Sequence, residues 1–499
     1  MNRSSLRLLL PPVGLLLTLL VAYPSSARAE DLPTGRIIEK VACRADATLS
    51  YALYVPSNYD SKKKWPVLFA FDPGARGLVP VEHFKDAAET YGYIVAGSND
   101  SRNGPWAPSV KAITAMWNDV LERFAIDQRR VYLAGFSGGA RVACHLGNAL
   151  KGQIAGVIAC SGGFPPETAP TQSMPFVFFG TAGVEDFNYV EMRQLDRTLD
   201  ELGQTHRVDI FEGGHAWPPS ELCTRAVEWM ELQAMKSALR ERSEQLIDAL
   251  FKKEVQRARA QEAAGSIYQA YDGYSGIAET FNGLRNVTEF QQKAAALKEG
   301  KEVRQALKLE KDQESEQRRR SVELYRLRAR LSARVKPGYS GESEAPGPGE
   351  LRYPAQTAEQ GDDGAIALAD LKRAVADLKK RSEAKESTPD RGLARRLLNQ
   401  FVVASIERST ALLDRKDYAG ASENLALDAE IMPDNWRVLY YLACAYSLKG
   451  DKKKAIDVLN KAVGRGFSII GLLESDKSFD SIREEAGFKR IVEKLKAKK

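Results

Sequence analysis

The sequence predicts an α/β fold in its first half, a doubly wound and mostly parallel sheet, followed by an all-α second half. Three observations carry this reading. Apolar runs without alternation, Pro66–Phe71, Tyr93–Gly97, Arg130–Ala134, Ile154–Cys160 and Pro175–Phe179, are separated by helical segments such as Ser109–Phe124 and Ala140–Leu150. Runs of that kind are strands buried on both faces, and their alternation with helices points to a parallel sheet. Strand signals then stop, and near the C-terminus apolar positions recur every 34 residues. At 499 residues the chain also exceeds what a single core supports.

Taken in order, residues 1–29 read as an export signal. Arg3 and Arg7 form a positive start, Leu8–Ala22 is mostly apolar, and Ala27-Arg28-Ala29 supplies small residues for cleavage before Glu30. The apolar stretch of about 15 residues falls short of the ~20 a membrane span needs. The mature chain is therefore expected to be periplasmic or secreted, with no span left after cleavage. Residues 36–55 alternate loosely, as an antiparallel strand pair does, and open a catalytic domain over 36–238. Residues 239–335 are charged and helix-forming, with runs such as KKEVQRARAQEAA, and suggest a solvated helical hairpin or coiled coil. The Pro/Gly-rich stretch 336–364 suggests a flexible linker.

In the tail, 365–499, Ala411, Asp417, Ala421 and Leu425 recur 34 residues later as Ala445, Asp451, Ala455 and Leu459. The spacing resembles the tetratricopeptide repeat. In the second copy Leu439, Leu442, Ala443, Tyr446, Ala455, Leu459 and Ala462 fall where that family places its packing residues, and the first copy is divergent. The resemblance implies a protein partner for the tail. Helices over Ile366–Arg381 and Phe479–Leu495 are expected to cap the pair, and the linker implies a tethered module that is separable from the chemistry.

Composition narrows the function classes. The chain is 43% hydrophobic and 28% charged, as expected of a soluble protein, and its net charge of +6 is small for its length. Losing Arg3, Arg7 and Arg28 with the leader leaves about +3, too weak a bias to attract nucleic acid. The five cysteines form no C-x-x-C pair and have no zinc-like spacing with the four histidines, so neither metal nor cofactor is expected. Cys144 and Cys160 sit in apolar patterns and are expected in the core.

The chemistry is carried by Gly135-Phe136-Ser137-Gly138-Gly139, which follows the strand Arg130–Ala134 and opens the helix Ala140–Leu150. A G-x-S-x-G turn in that context holds a serine exposed on a sharp, strained elbow, so Ser137 is the candidate nucleophile. The backbone N–H of Gly138, at the helix start, can point at a developing oxyanion. A hydroxyl also needs a base. His83 lies early in a helical segment, His145 within the helix after the elbow, and His206 just before the strand Arg207–Phe211. His215 instead stands in a loop between Gly213-Gly214 and Pro218-Pro219, past the last strand, and is the candidate base. The loop after Pro175–Phe179 supplies Glu185 and Asp186, and either can orient the imidazole. The order of serine, acid and histidine differs from that of chymotrypsin and of subtilisin. Trp106 and Trp217, near strand ends, are candidates to wall a substrate pocket.

Residues 40–235 resemble the esterase and polyhydroxybutyrate-depolymerase-like branch of the α/β-hydrolase superfamily, through PVLFAFDPGARG, GFSGGA, GVEDFNY and GGHAWPP. The resemblance implies an acyl hydrolase of small-molecule or polymeric esters. Its G-x-x-D acid loop, matched by Gly183–Asp186, favours Asp186 over Glu185. That branch carries His-Gly after the first central strand, where this chain has Asp72-Pro73-Gly74-Ala75. Pro73 has no N–H, so Gly74 is the expected second oxyanion donor. A peptidase on the same triad, or a binding scaffold with a vestigial hydrolase domain, are the alternatives.

Overall fold

The computed structural model describes residues 32–104, 106–332, 363–386 and 388–497. The expected leader and residues 336–362 of the expected linker lie outside them. In the first half the order is β1 (Ile37–Ala42), β2 (Ser50–Tyr54), β3 (Trp65–Phe71), α1 (Leu78–Tyr91), β4 (Ile94–Ser98), α2 (Trp106–Arg123), β5 (Ile126–Phe136) and α3 (Gly138–Ala149). There follow β6 (Gly156–Cys160), β7 (Val177–Gly183), α4 (Tyr189–Glu201), β8 (His206–Phe211) and α5 (Ser220–Lys236). The helices α6 (Glu244–Ala263), α7 (Ile267–Thr280), α8 (Thr288–Glu299), α9 (Lys301–Ser332) and α10 (Asp363–Ser382) come next. The chain ends in α11 (Pro389–Asp414), α12 (Tyr418–Ile431), α13 (Trp436–Lys449), α14 (Lys452–Gly464), α15 (Ile470–Ser475) and α16 (Ala486–Lys496). Asp363 and Gly364, read from composition as the end of the linker, belong to α10, which begins at Asp363.

Eight strands form one sheet in the order β1-β2-β4-β3-β5-β6-β7-β8. The pairs β1/β2 and β2/β4 are antiparallel, whereas β4, β3, β5, β6 and β7 run parallel. All seven residues of β3 are buried. Val67, Phe69 and Phe71 enter one apolar layer with α2, α3 and α4, while Leu68 and Ala70 enter the opposite layer with α1 and α5. That period of two across a doubly covered sheet is why β3 shows no polar alternation. Each Leu or Phe buried this way stabilises the fold by about 1.5–3 kcal/mol. After β3 the chain turns to β4 on one side and then crosses to β5 on the other. The switch point therefore lies between β3 and β5, and open α/β sheets bind ligands at the carboxyl ends of such strands.

The chain divides into two compact units. The first comprises the described residues through Ala182 together with Glu191–Phe211 and Ala216–Leu297. It runs past residue 238, the boundary read from the sequence, because Leu232 and Met235 of α5 share a core with Ile247, Leu250, Tyr274, Ile277 and Phe290 of α6–α8. Those helices are charged on one side only, and their apolar stripes need α5 to be buried.

The second unit comprises Gly183–Val190, Glu212–His215 and the described residues from Lys298 on. Leu324 and Leu331 of α9, Leu371 and Leu378 of α10 and Leu393 and Leu397 of α11 share one core. The hairpins α11–α12 and α13–α14 repeat at the 34-residue spacing, and their second helices begin alike. Asp417 accepts from the Gly420 N–H and Asp451 from the Lys454 N–H, each satisfying a donor that the first turn leaves open. Phe488, Ile491 and Leu495 of α16 pack on the last hairpin. Arg328 of α9 and Asp428 of α12 form a buried ion pair, Nε to Oδ1 2.7 Å.

Candidate active site

Ser137 sits between β5 and α3 with φ +53° and ψ −118°, a conformation that costs a non-glycine residue about 1–3 kcal/mol. The turn is tight enough that a methyl group on Gly135 would lie 2.1 Å from the Gly139 carbonyl oxygen. The Ser137 N–H donates to the Cys160 carbonyl at 2.8 Å, which ties the elbow to β6. Its own carbonyl accepts from Ala140 and Arg141, so α3 starts directly behind it. Gly138 is the first residue of α3, where backbone N–H groups have no intrahelical acceptor. A methyl group at Gly138 would lie 1.8 Å from Asn103 Oδ1. The loop after β4 thus lays the Asn103 amide over the start of α3.

The loop after β3 departs from expectation. The Gly74 N–H donates to Asp72 Oδ1 at 2.8 Å, and the Ala75 N–H to the Asp72 carbonyl at 3.1 Å. The Gly74 amide and that of its neighbour Ala75 are both engaged within their own turn, so the role expected of Gly74 is not supported. The buried Asp72 organises this corner: its carboxylate also takes Arg76 at 2.8 and 2.9 Å and the Trp217 indole N–H at 2.9 Å. Trp217 is 7% exposed and packs among His83, Phe84 and Phe136. It is a core residue rather than a pocket wall, because its one polar atom has a buried acceptor. Trp106, at the start of α2, is 44% exposed and meets only the edge of His145, with ring centroids 5.3 Å apart, in the contacts resolved for its ring. The two tryptophans do not form one surface.

In the second unit the loop after β7 and the loop after β8 come together. His215 Nδ1 lies 2.9 Å from Asp186 Oδ1. Asp186 is fully buried, and Asn188 N–H donates to the same oxygen at 2.8 Å. The Phe187 ring packs on the imidazole with centroids 4.1 Å apart, and Glu185 N–H donates to the Gly213 carbonyl at 2.9 Å. Glu185 itself turns its carboxylate to Arg391 and Arg395. The acidic pair that position left open is thus divided by its partners: the histidine takes Asp186 and the arginines take Glu185. The other histidines have structural surroundings. Burial holds His83 and His145 below the ordinary histidine range. His206 bonds the Gln204 carbonyl and lies 3.3 Å from Asp196.

Residues 107–232, which include the elbow, the acid loop and the histidine loop, match the Phospholipase/Carboxylesterase family. The chain is a serine hydrolase. Solved structures similar to it include the S-formylglutathione hydrolase of Staphylococcus aureus, 14% identical, with a TM-score of 0.31 over 36% of this chain and 90% of that one. Another is the fluorophosphonate-binding serine hydrolase F of the same organism, 13% identical, TM-score 0.33, over 40% and 99% of the two chains. A third is an esterase of Pyrobaculum calidifontis, 11% identical, TM-score 0.34, over 40% and 87%. No curated protein matches the chain significantly.

The hydrolase holds no His, Cys, Asp or Glu cluster arranged for a metal ion among the described residues. Nor is any described helix long and apolar enough to cross a membrane. Sequence reasoning missed Asn103 and the arginines of α11. Asn103 stands in the loop after β4, three residues before Trp106, where no local pattern singles out an asparagine. The arginines lie more than 200 residues from Glu185, beyond the reach of any local pattern.

Proposed function

We propose that the protein is an exported carboxylic-ester hydrolase that works through an acyl-enzyme on Ser137. His215 acts first as general base and then as general acid, and Asp186 orients it and stabilises its charged form. In acylation the Ser137 hydroxyl oxygen bonds to the ester carbonyl carbon while its proton passes to His215 Nε2. The oxyanion of the tetrahedral intermediate takes the Gly138 N–H. The intermediate collapses, the C–O bond to the alcohol breaks, and His215 returns the proton to the leaving oxygen. Water then repeats the sequence on the acyl-enzyme and releases the acid and the free serine.

The 2.9 Å bond between His215 Nδ1 and the buried Asp186 carboxylate carries this reading. It fixes the imidazole tautomer with Nε2 available as base, and the positive φ of Ser137 is the conformation a nucleophile elbow requires. The 34-residue register of the α11–α14 hairpins and their matching Asp417 and Asp451 caps support a tetratricopeptide-like module that takes a protein partner. Export rests on the leader sequence alone, and N-terminal sequencing of the mature protein should begin at Glu30.

A panel of p-nitrophenyl esters of increasing acyl length, with feruloyl esters and aminoacyl p-nitroanilides, tests the reaction class. Esters should turn over and the anilides should not. A fluorophosphonate should label Ser137 in the wild type and spare Ser137→Ala, whose ester turnover should fall by about 10⁴- to 10⁶-fold. Labelling elsewhere, or preference for the anilides, overturns the assignment.

A further inference from the structure

The acid loop and the helices α9 and α11 belong to the same unit and meet through a dense set of polar contacts. Glu185 Oε1 accepts from Arg391 Nη2 at 3.0 Å and from Arg395 Nη1 at 2.9 Å, and Oε2 accepts from Arg395 Nη1 at 2.7 Å. The side chains of Glu185 and Arg391 are 15% exposed and that of Arg395 38%, so salt screens these pairs only in part. One residue earlier, the Val184 carbonyl accepts from Arg396 Nη1 at 2.7 Å. The buried Arg396 also donates to Gln317 at 2.6 Å and Gln313 at 3.2 Å on α9, and its guanidinium lies 4.9 Å from the centre of the Tyr189 ring. Beyond Asp186, the Gln317 amide reaches the Phe187 carbonyl at 3.5 Å.

We propose that α9 and α11 form a clamp on the acid loop, with Arg391, Arg395 and Arg396 as positioning residues that set the approach of Asp186 to His215. The proposal rests on the Ser137–His215–Asp186 reading above. Its physical basis is that Asp186 has little to orient itself. One of its oxygens is shared by His215 and Asn188, and the other is buried without a hydrogen-bond partner among the described residues. The direction of the carboxylate is therefore set by the backbone on either side, and the clamp grips Val184 and Glu185 on one side and Phe187 on the other. Guanidinium groups suit the task, since they meet a carboxylate with fixed, planar, charge-assisted bonds where an ammonium group is a mobile point charge. Pairing Glu185 with two cations also offsets its repulsion of the neighbouring Asp186 charge. The helical second half is on this account part of the catalytic machinery, not a detachable module.

The test uses the full chain carrying Arg391→Ala with Arg395→Ala, Arg395→Lys, Glu185→Ala, and the triple combination, beside Asp186→Asn. Turnover of p-nitrophenyl acetate is normalised to the serine titrated to completion by a fluorophosphonate, so that loss of folded protein lowers the titre and not kcat. The double arginine variant and Glu185→Ala should each lose about 10- to 100-fold in kcat, the scale of a misplacement near 1 Å, with KM within about three-fold. Arg395→Lys should fall between them and the wild type. The triple variant should be no worse than the double, because all three residues act through one contact. If the arginine variants fail to melt cooperatively, Glu185→Ala, which leaves α11 intact, decides alone. A folded Glu185→Ala or double variant with wild-type kcat beside an inactive Asp186→Asn overturns the clamp and spares the triad, as do losses that multiply in the triple. Wild-type kcat in Asp186→Asn overturns the triad and the clamp with it.

Discussion

Replacing Asp186 by asparagine should isolate the charge of the acid from its role in orientation. Oδ1 faces two donors, His215 Nδ1 at 2.9 Å and the Asn188 N–H at 2.8 Å. An amide nitrogen turned that way would meet two N–H groups, so the asparagine keeps its oxygen there and places its NH₂ where Oδ2 was. Tautomer and ring orientation survive, and the negative charge beside the imidazolium of the transition state is lost. With charge centres roughly 4 Å apart and an effective dielectric constant of about 20, that attraction is about 4 kcal/mol. At 1.36 kcal/mol per decade it corresponds to a loss of about 10³-fold in kcat. Asp186→Ala removes the acceptor as well and should cost about ten-fold more. Hydrolysis of p-nitrophenyl acetate at pH 8, normalised to titrated serine, measures both. Retention of more than a tenth of wild-type kcat by Asp186→Asn, or a smaller loss in Asp186→Ala than in Asp186→Asn, refutes the reasoning.

Arg328→Ala should destabilise the second unit by about 3–5 kcal/mol, because it strands Asp428 in a pair whose side chains are 2% and 1% exposed; an unchanged urea midpoint would contradict this. For His206, burial alone would lower the pKa, but the bonds to Asp196 and the Gln204 carbonyl and the charges of Asp196 and Asp200 raise it above the ordinary 6.5. The folded state then binds that proton more tightly than the unfolded chain. The resulting stability is complete below about pH 6.5 and is lost as pH rises through the raised value, and His206→Gln should flatten that part of the melting-temperature profile. The five cysteines are free and buried, and burial pushes the Cys160 thiol up to about 12. Ellman's reagent should therefore find almost no fast-reacting thiol in the native protein and five equivalents in guanidinium.

What was legible in the sequence is what local chemistry determines. β3 is readable because both of its faces are covered, and the elbow because Gly135 has no room for a side chain next to Gly139. His215 stands out because glycines and prolines bracket it just past the last strand. The errors share a different cause, since each turned on which partner a group takes, whether near in sequence or far. Gly74 has the right place for an oxyanion donor, yet Asp72 takes its N–H. Trp217 has the right place for a pocket wall, yet the same carboxylate, 145 residues away, draws its indole into the core. The boundary at residue 238 failed because the stripes of α6–α8 reveal that something must cover them, and not that α5 does.

The linker misled for a related reason. A Pro/Gly-rich stretch reports the freedom of the chain between two points and says nothing of what the elements at its ends touch. Here α9 precedes the stretch and α11 follows it, and both contribute to one core through Leu324, Leu331, Leu393 and Leu397. The helices on either side of the stretch therefore belong to one unit, and its composition carries no information about separability. The adjacent acids Glu185 and Asp186 teach the same lesson at the scale of one bond. They have the same charge and almost the same place, and their partners divide the work. A carboxylate held by two permanent cations is fixed in place and cannot follow a proton. A carboxylate facing one imidazole meets a group whose charge changes during the reaction, and only there does its own charge favour the transition state over the ground state. The residue that carries the chemistry is therefore identified by what its partner can do, and Glu185 serves it best by holding still.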